Sequence, residues 1–227
     1  LDITDVDIIS ATYGPGLAGS LITGLNTGKA LSMCLNKPFF GVNHLEGHVY
    51  SAWLDQVHGP DQQVGFPIVS LIASGGHTDL VLMSGHGDYE LLGHTLDDAA
   101  GECFDKAARI LGLGFPGGPE IQKTAGVHHS DFHLPRAWLP GTSNFSFSGL
   151  KTAVLKLAIE KNVYPEDTSK LSSENRNNLI IEISAAFQES VVDVLSSKVM
   201  KAAADHGAKG IIIGGGVAAA ISSGFGA

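Results

Sequence analysis

With 29 glycines in 227 residues, 44% apolar residues and only 16% charged ones, the chain can build a core and is not disordered, collagen-like or coiled-coil. A net charge of −9, with the basic residues scattered, argues against a stand-alone nucleic-acid binder, since phosphate contacts need clustered Lys and Arg. No apolar run reaches the ~18 residues of a membrane span, and Asp2, Asp5 and Asp7 are unlike the start of a signal peptide. Cys34 and Cys103 form no CxxC, so neither a disulfide framework nor a cysteine zinc site is expected. These features predict a soluble protein of a reducing compartment.

Asp7 to Thr12 is a β-branched stretch running into the turn Gly14-Pro15-Gly16. Leu17, Leu21, Leu25, Leu31 and Leu35 follow at helical spacing, and Lys37-Pro38 is expected to end that helix. Phe39 to Val42 reads as a strand, and Asn43 as the N-cap of a helix from His44 to about Leu54. His58 to Gly65, polar and turn-rich, reads as a connection. Ile68–Ala73 and Thr78–Met83 flank Ser74-Gly75-Gly76 as a hairpin, with Tyr89–His94 as a further strand. Ala99, Cys103, Phe104, Ala107, Ala108 and Leu111 keep helical period, and a Gly/Pro loop and a short helix follow. Helices are predicted over Gly149–Glu160, with Ser148 as N-cap, and over Leu179–His206. Gly210–Ile213 is a buried strand that breaks into Gly214-Gly215-Gly216. The expected fold class is α/β, in two lobes around a cleft, with residues 1–66 in the first and 67–227 in the second.

Several residues can carry chemistry. His44 and His48 lie four apart on a helix, so both imidazoles can face one metal ion, or they are simply two surface histidines. The zinc-peptidase pattern HExxH needs Glu after the first His, and Leu45 stands there. Ser74-Gly75-Gly76-His77-Thr78 can bring backbone N–H groups close to an anion, or can be a plain hairpin turn. Gly214-Gly215-Gly216 after a buried strand can seat a nucleotide, or can be a tight turn. Asp98, Glu102 and Asp105 fall at i, i+4 and i+7, which makes either a solvated face or a holder of ribose hydroxyls or a cation. No Ser–His–Asp arrangement is visible.

In order along the chain stand Gly14-Pro15-Gly16-Leu17, His44-Leu45-Glu46-Gly47-His48, Ser74-Gly75-Gly76-His77-Thr78, Asp97-Asp98-Ala99-Ala100-Gly101-Glu102 with Phe104-Asp105-Lys106, Phe115-Pro116-Gly117-Gly118-Pro119, Phe145-Ser146-Phe147-Ser148-Gly149-Leu150-Lys151-Thr152, and Gly215-Gly216-Val217. This series closely resembles the tRNA N(6)-adenosine threonylcarbamoyltransferase family, once called O-sialoglycoprotein endopeptidase. The resemblance implies an actin/Hsp70-like fold of two α/β lobes. It also implies transfer of a threonylcarbamoyl group from threonylcarbamoyl-adenylate to the N(6) amine of the adenosine beside the tRNA anticodon. By resemblance, His44 and His48 would ligate one divalent metal ion, iron or zinc. Ile72, Ala73, Ser74, Gly75, Gly76, Asp105 and Gly118 would contact the adenylate. The implied partners are tRNA, a paralogous actin-like subunit and a small ATPase, and the implied compartment is the cytoplasm or an organelle.

Three departures from the family pattern set further expectations. No segment of the type GIETSCDDT precedes Leu1, and no CTDNAAM-like motif with a third metal ligand follows. Ala220 stands where the family has a nucleotide-contacting Asn, and Ile221–Ala227 no longer match. The chain is therefore expected to be the central part of such an enzyme, truncated at both ends and inactive alone. The alternative is a non-catalytic piece that retains only metal or partner binding. The peptidase label is weaker, because the HExxH glutamate is missing.

Overall fold

In a computed structural model of the chain, residues 2–54, 59–165 and 171–217 are described. Ala220 and the tail that follows it lie outside them. The chain divides into two compact units, 1–57 and 58–227.

The first unit opens with a short 3-10 turn, Ile3–Asp5, capped by Asp2. Strand β1 (Ile9–Gly14) pairs in parallel with β2 (Phe39–Asn43), and helix α1 (Ala18–Leu35) is the crossover between them. What ends α1 is Asn36 rather than Pro38. Asn36 turns left-handed at φ 50°, and the N–H groups of Asn36 and Lys37 both reach the Ser32 carbonyl. The next helix, α2, covers only His44–Tyr50 and tightens to a 3-10 turn at Ser51–Trp53, shorter than the run expected to Leu54. Among the described residues of this unit only Gly28 and Val49 are buried.

The second unit begins with a short helix, α3 (Pro60–Val64), inside the segment expected to be a plain connection. Strands β3 (Ile68–Ala73), β4 (Thr78–Gly85) and β5 (Asp88–His94) follow, and β6 (Gly210–Gly214) closes a four-stranded sheet of order β5-β4-β3-β6. The hairpin pairs are antiparallel, whereas β3 and β6 run parallel, with Ile72 opposite Gly214. Every residue of β3 is buried, Ser70 included, as its apolar character otherwise leads one to expect of a central strand.

Helices α4 (Ala100–Leu111), α5 (Gly117–Ala125), α6 (Ser148–Glu160) and α7 (Ser173–Asp205) complete the unit. α7 packs on β3 and β6 and also touches α5 and α6. Val69, Leu71, Leu80, Phe104, Phe145, Phe147, Phe187 and Leu195 belong to one continuous core. Phe104 and Phe187 meet edge to face at 4.9 Å. α7 starts well before the expected Leu179, because Ser172 caps it by accepting the Asn175 N–H at 3.3 Å. Among the described residues no helix is long and apolar enough to cross a membrane.

Candidate functional site

In the first unit, Asn43 fixes the start of α2. Its side-chain oxygen accepts the Leu45 N–H at 2.8 Å, so the expected N-cap is present. One turn of helix then stacks His44 and His48, with ring centroids 4.6 Å apart and planes 69° to each other. Their Nε2 atoms approach to 3.2 Å. Two ligand nitrogens of a tetrahedral site with bonds of about 2.0–2.1 Å stand about 3.3 Å apart, so the pair has the bite one ion needs. Among the described residues no further His, Cys, Asp or Glu completes a group of three. His44 also stands on a groove of about 690 Å³ bounded by β1 and α1, whose lining includes Thr12, Gly16, Ser20 and Gly24.

In the second unit, the carboxyl ends of the parallel strands β3 and β6 gather four backbone loops. Such strand ends are where open α/β sheets place ligands. Ser74 closes the hairpin turn twice: its N–H donates to the His77 carbonyl at 2.8 Å, and its Oγ accepts the His77 N–H at 3.1 Å. The start of α4 rests on this turn. Ala100 N–H is capped at 2.8 Å by the buried hydroxyl of Thr78, and Gly101 N–H reaches the Ser74 carbonyl at 3.2 Å. A Cβ on Gly101 would stand 2.5 Å from that carbonyl oxygen, so only glycine allows the approach. Gly215, at φ 99°, is bound in the same way, because a Cβ there would overlap the Ala73 carbonyl that accepts the Val217 N–H at 3.0 Å.

Asp105 sits on α4 and accepts the Gly117 N–H at 2.7 Å, which ties α4 to the start of α5. Around these fixed contacts, Gly75, Gly76, Gly118 and Gly216 each face open space, with no atom within 4 Å of where a Cβ would be. Such bare backbone can approach a phosphate closely. Of the residues expected to touch an adenylate, Ser74, Gly75, Gly76, Asp105 and Gly118 lie in or beside this backbone cradle. Ile72 and Ala73 are fully buried in β3, backbone included, and the Ala73 carbonyl is taken by the Val217 N–H, so the structure gives neither a surface to touch an adenylate.

The acidic row does not act as one face. Asp98 lies ahead of α4, and Lys106 neutralises both Asp98, at 2.7 Å, and Glu102, at 2.8 Å, leaving Asp105 to hold Gly117. The pairing raises the Lys106 pKa to about 12, through the hydrogen bonds its ammonium donates to Asp98 and Glu102. Buried Cys103 beside them is pushed up to about 12, first by burial and then by the Asp98 charge, which makes it an inert thiol.

Sequence reasoning gave no role to Asp97, which organises the start of α6. Its Oδ1 accepts the Phe147 and Ser148 N–H groups at 2.8 and 3.2 Å, and its Oδ2 accepts the Ser146 and Ser148 hydroxyls at 2.6 and 2.7 Å. Ser148 is thus the first residue of α6 and donates to Asp97, rather than capping the helix. Desolvation works against the Asp97 charge, but these hydrogen bonds outweigh it and hold the carboxyl below its ordinary range. The alternating hydroxyls of Ser146 and Ser148 were the only available signal.

Comparison with known proteins adds an independent line. The family model described as tRNA N6-adenosine threonylcarbamoyltransferase matches residues 1–222. A protein of that name from Thermomicrobium roseum is 51% identical over 226 residues, covering 94% of this chain and 62% of the relative. One from Dehalococcoides mccartyi is 48% identical over 96% of this chain and 61% of its own length. One from Bacillus subtilis is 46% identical over 95% of this chain and 58% of its own. The chain thus spans about 60% of the length of the curated relatives it matches.

Proposed function

The chain belongs to the tRNA N6-adenosine threonylcarbamoyltransferase family, and from that premise we propose that it is the nucleotide-cradling part of an enzyme that modifies tRNA. The reaction is transfer of a threonylcarbamoyl group from threonylcarbamoyl-adenylate to the N(6) amine of the adenosine adjacent to the anticodon. The amine attacks the carbamoyl carbon, the bond to the adenylate phosphate breaks, AMP leaves with that electron pair, and the proton lost by the amine passes to solvent. The fold of the whole protein is then actin/Hsp70-like, and its compartment the cytoplasm. The working complex includes tRNA, a paralogous actin-like subunit and a small ATPase.

One observation carries the reading: Gly75, Gly76 and Gly216 follow the carboxyl ends of β3 and β6, Gly118 opens α5 beside Asp105, and all four face open space. Backbone N–H groups at Gly75 and Gly76 can stabilise charge on a phosphate or carbamoyl oxygen as it develops, with no side chain needing to ionise. Asp105, oriented by the Gly117 N–H, offers its carboxylate to the ribose hydroxyls. His44 and His48 would hold the divalent ion, iron or zinc, whose chemistry is electrophilic stabilisation of phosphate and carbamoyl oxygens. To ligate it, both imidazoles must be neutral at Nε2.

The test is transfer of labelled threonine into unmodified tRNA, with bicarbonate, ATP and the partner proteins. It compares the 227-residue chain with a chimaera completed by the flanking segments of the Thermomicrobium roseum relative. The chimaera is expected to transfer threonine and to lose this activity with Asp105→Ala or His44→Ala, while the short chain alone stays inactive. A folded chimaera without activity would instead support a non-catalytic piece that binds metal or partners.

A further inference from the structure

Lys198, near the carboxyl end of α7, is only 7% exposed. Its Nζ donates to the Thr142 carbonyl at 2.9 Å and lies 5.7 Å from the centre of the Phe145 ring. Among the described residues it forms no ion pair with a carboxylate. Buried charges are ordinarily paired, because an ammonium taken out of water without a counter-charge costs several kcal/mol. A neutral carbonyl and an aromatic face answer that cost only in part.

The side chain borders a cavity of about 420 Å³ between α7 and the loop 138–143. That volume falls in the range of small-molecule and nucleotide sites. Trp138, 45% exposed, stands on one side, and Ser197 and the Lys201–Asp205 ion pair of 2.7 Å lie at the α7 rim. An unpaired ammonium at the wall, a second lysine at the rim and an indole face are the three parts of a site for one nucleotide. The ammonium groups meet phosphate, and the indole stacks on a base.

We propose that this cavity binds one nucleotide unit, its phosphate against Lys198 and Lys201 and its base against Trp138. The cavity shares no lining residue with the glycine-lined strand ends, and the proposal rests on the reading of the protein as one that handles tRNA. An arriving phosphate supplies the counter-charge Lys198 lacks, and Lys201 shares its charge between Asp205 and the ligand. Burial lowers the Lys198 pKa, as it does for any ammonium held away from water.

The experiment measures binding of unmodified tRNA and of AMP to the wild-type chain and to Lys198→Met, Lys201→Ala and Trp138→Ala. Threonine transfer by the completed protein is measured alongside. Lys198→Met is expected to weaken nucleotide binding at least tenfold without lowering Tm, because it removes an unpaired buried charge. Trp138→Ala should weaken it about tenfold, and Lys201→Ala about threefold. If Lys198→Met does not fold, the other two variants carry the test. Losses seen with tRNA but not AMP assign the pocket to an RNA strand, and losses seen with both assign it to a free nucleotide as well. Wild-type binding that no variant weakens, or no binding of either ligand, overturns the pocket. In either case the transfer assay shows separately whether the enzymatic reading stands.

Discussion

Ser148 gives Asp97 two hydrogen bonds, one from its backbone N–H at 3.2 Å and one from its hydroxyl at 2.7 Å, across fifty-one positions of sequence. The carboxylate does from a distance what an N-cap residue does locally, and its charge also suits the positive end of α6. Asp97→Ala should cost about 1–2 kcal/mol, a modest figure because the side chain is exposed to solvent. Asp97→Asn, which keeps acceptor capacity, should cost less. The Asp97 pKa is lowered on folding, so its contribution is complete above its unfolded value, about 3.9. It is lost as pH falls from there through the folded value. Urea melts of wild type and Asp97→Ala between pH 3 and 7 check this; curves whose separation does not shrink at low pH would contradict it.

Gly101→Ala should be far more damaging than its exchange of one hydrogen for a methyl suggests. The new Cβ would stand 2.5 Å from the Ser74 carbonyl oxygen, and backbone on both sides must shift. A loss of about 3 kcal/mol is expected, together with loss of nucleotide binding at the adjoining turn. Gly75→Ala meets open space, so Tm should hardly change while ligand binding falls. Calorimetry and thermal melts on the pair separate the two effects.

Asp105→Asn should leave Tm nearly unchanged, since an amide oxygen can still accept the Gly117 N–H. Binding of adenylate analogues to the 227-residue chain is expected to be no tighter than millimolar, about −4 kcal/mol, and the variant should weaken it further. Micromolar binding indifferent to the substitution would remove Asp105 from the site.

His44 and His48 should hold one divalent ion per chain, weakly, because two imidazoles leave the remaining coordination to water. Changing both to Ala should abolish binding measured by metal analysis after dialysis against micromolar zinc. One ion retained by the double variant would show that the metal is held elsewhere.

Cys103, with its pKa pushed up to about 12 by burial and the Asp98 charge, should resist alkylation at pH 8, whereas exposed Cys34 should label quickly. Mass spectrometry of the maleimide-treated chain should find one adduct in buffer and two in denaturant. Two adducts under native conditions would mean that the α4 core opens far more readily than its packing implies.

How much of this was legible beforehand follows from how local each feature is. The β3–β4 hairpin could be read directly, because a buried apolar run, a Ser-Gly-Gly turn and a second strand are contiguous. The Asn43 cap and the His44–His48 pairing are equally local. The first turns of α7 were missed because Asn175, Asn177 and Asn178 carry no apolar period and weak helix propensity, and only the Ser172 cap betrays the start. Asp97 was missed because its partners lie in another segment. Lys198 continues the helical face of Phe187, Val191 and Leu195, so the period of α7 points it inward, but nothing local shows that the loop 138–143 covers it.

The parallel pairing of β3 with β6 has a consequence in time. Ile68–Ile72 find their partners at Gly210–Gly214 only after almost the whole intervening chain exists. Contacts of such long sequence separation are closed late and slowly. Until then β3 has β4 on one edge and a bare edge on the other, an invitation to pair with the wrong strand. The Ala73 carbonyl likewise waits for Val217, so the Gly215 loop joins the hairpin turn and the start of α4 only when the described chain's last strand arrives. A nascent protein halted before β6 should thus carry its hairpin with one strand edge bare, and should lean on chaperones until β6 emerges from the ribosome.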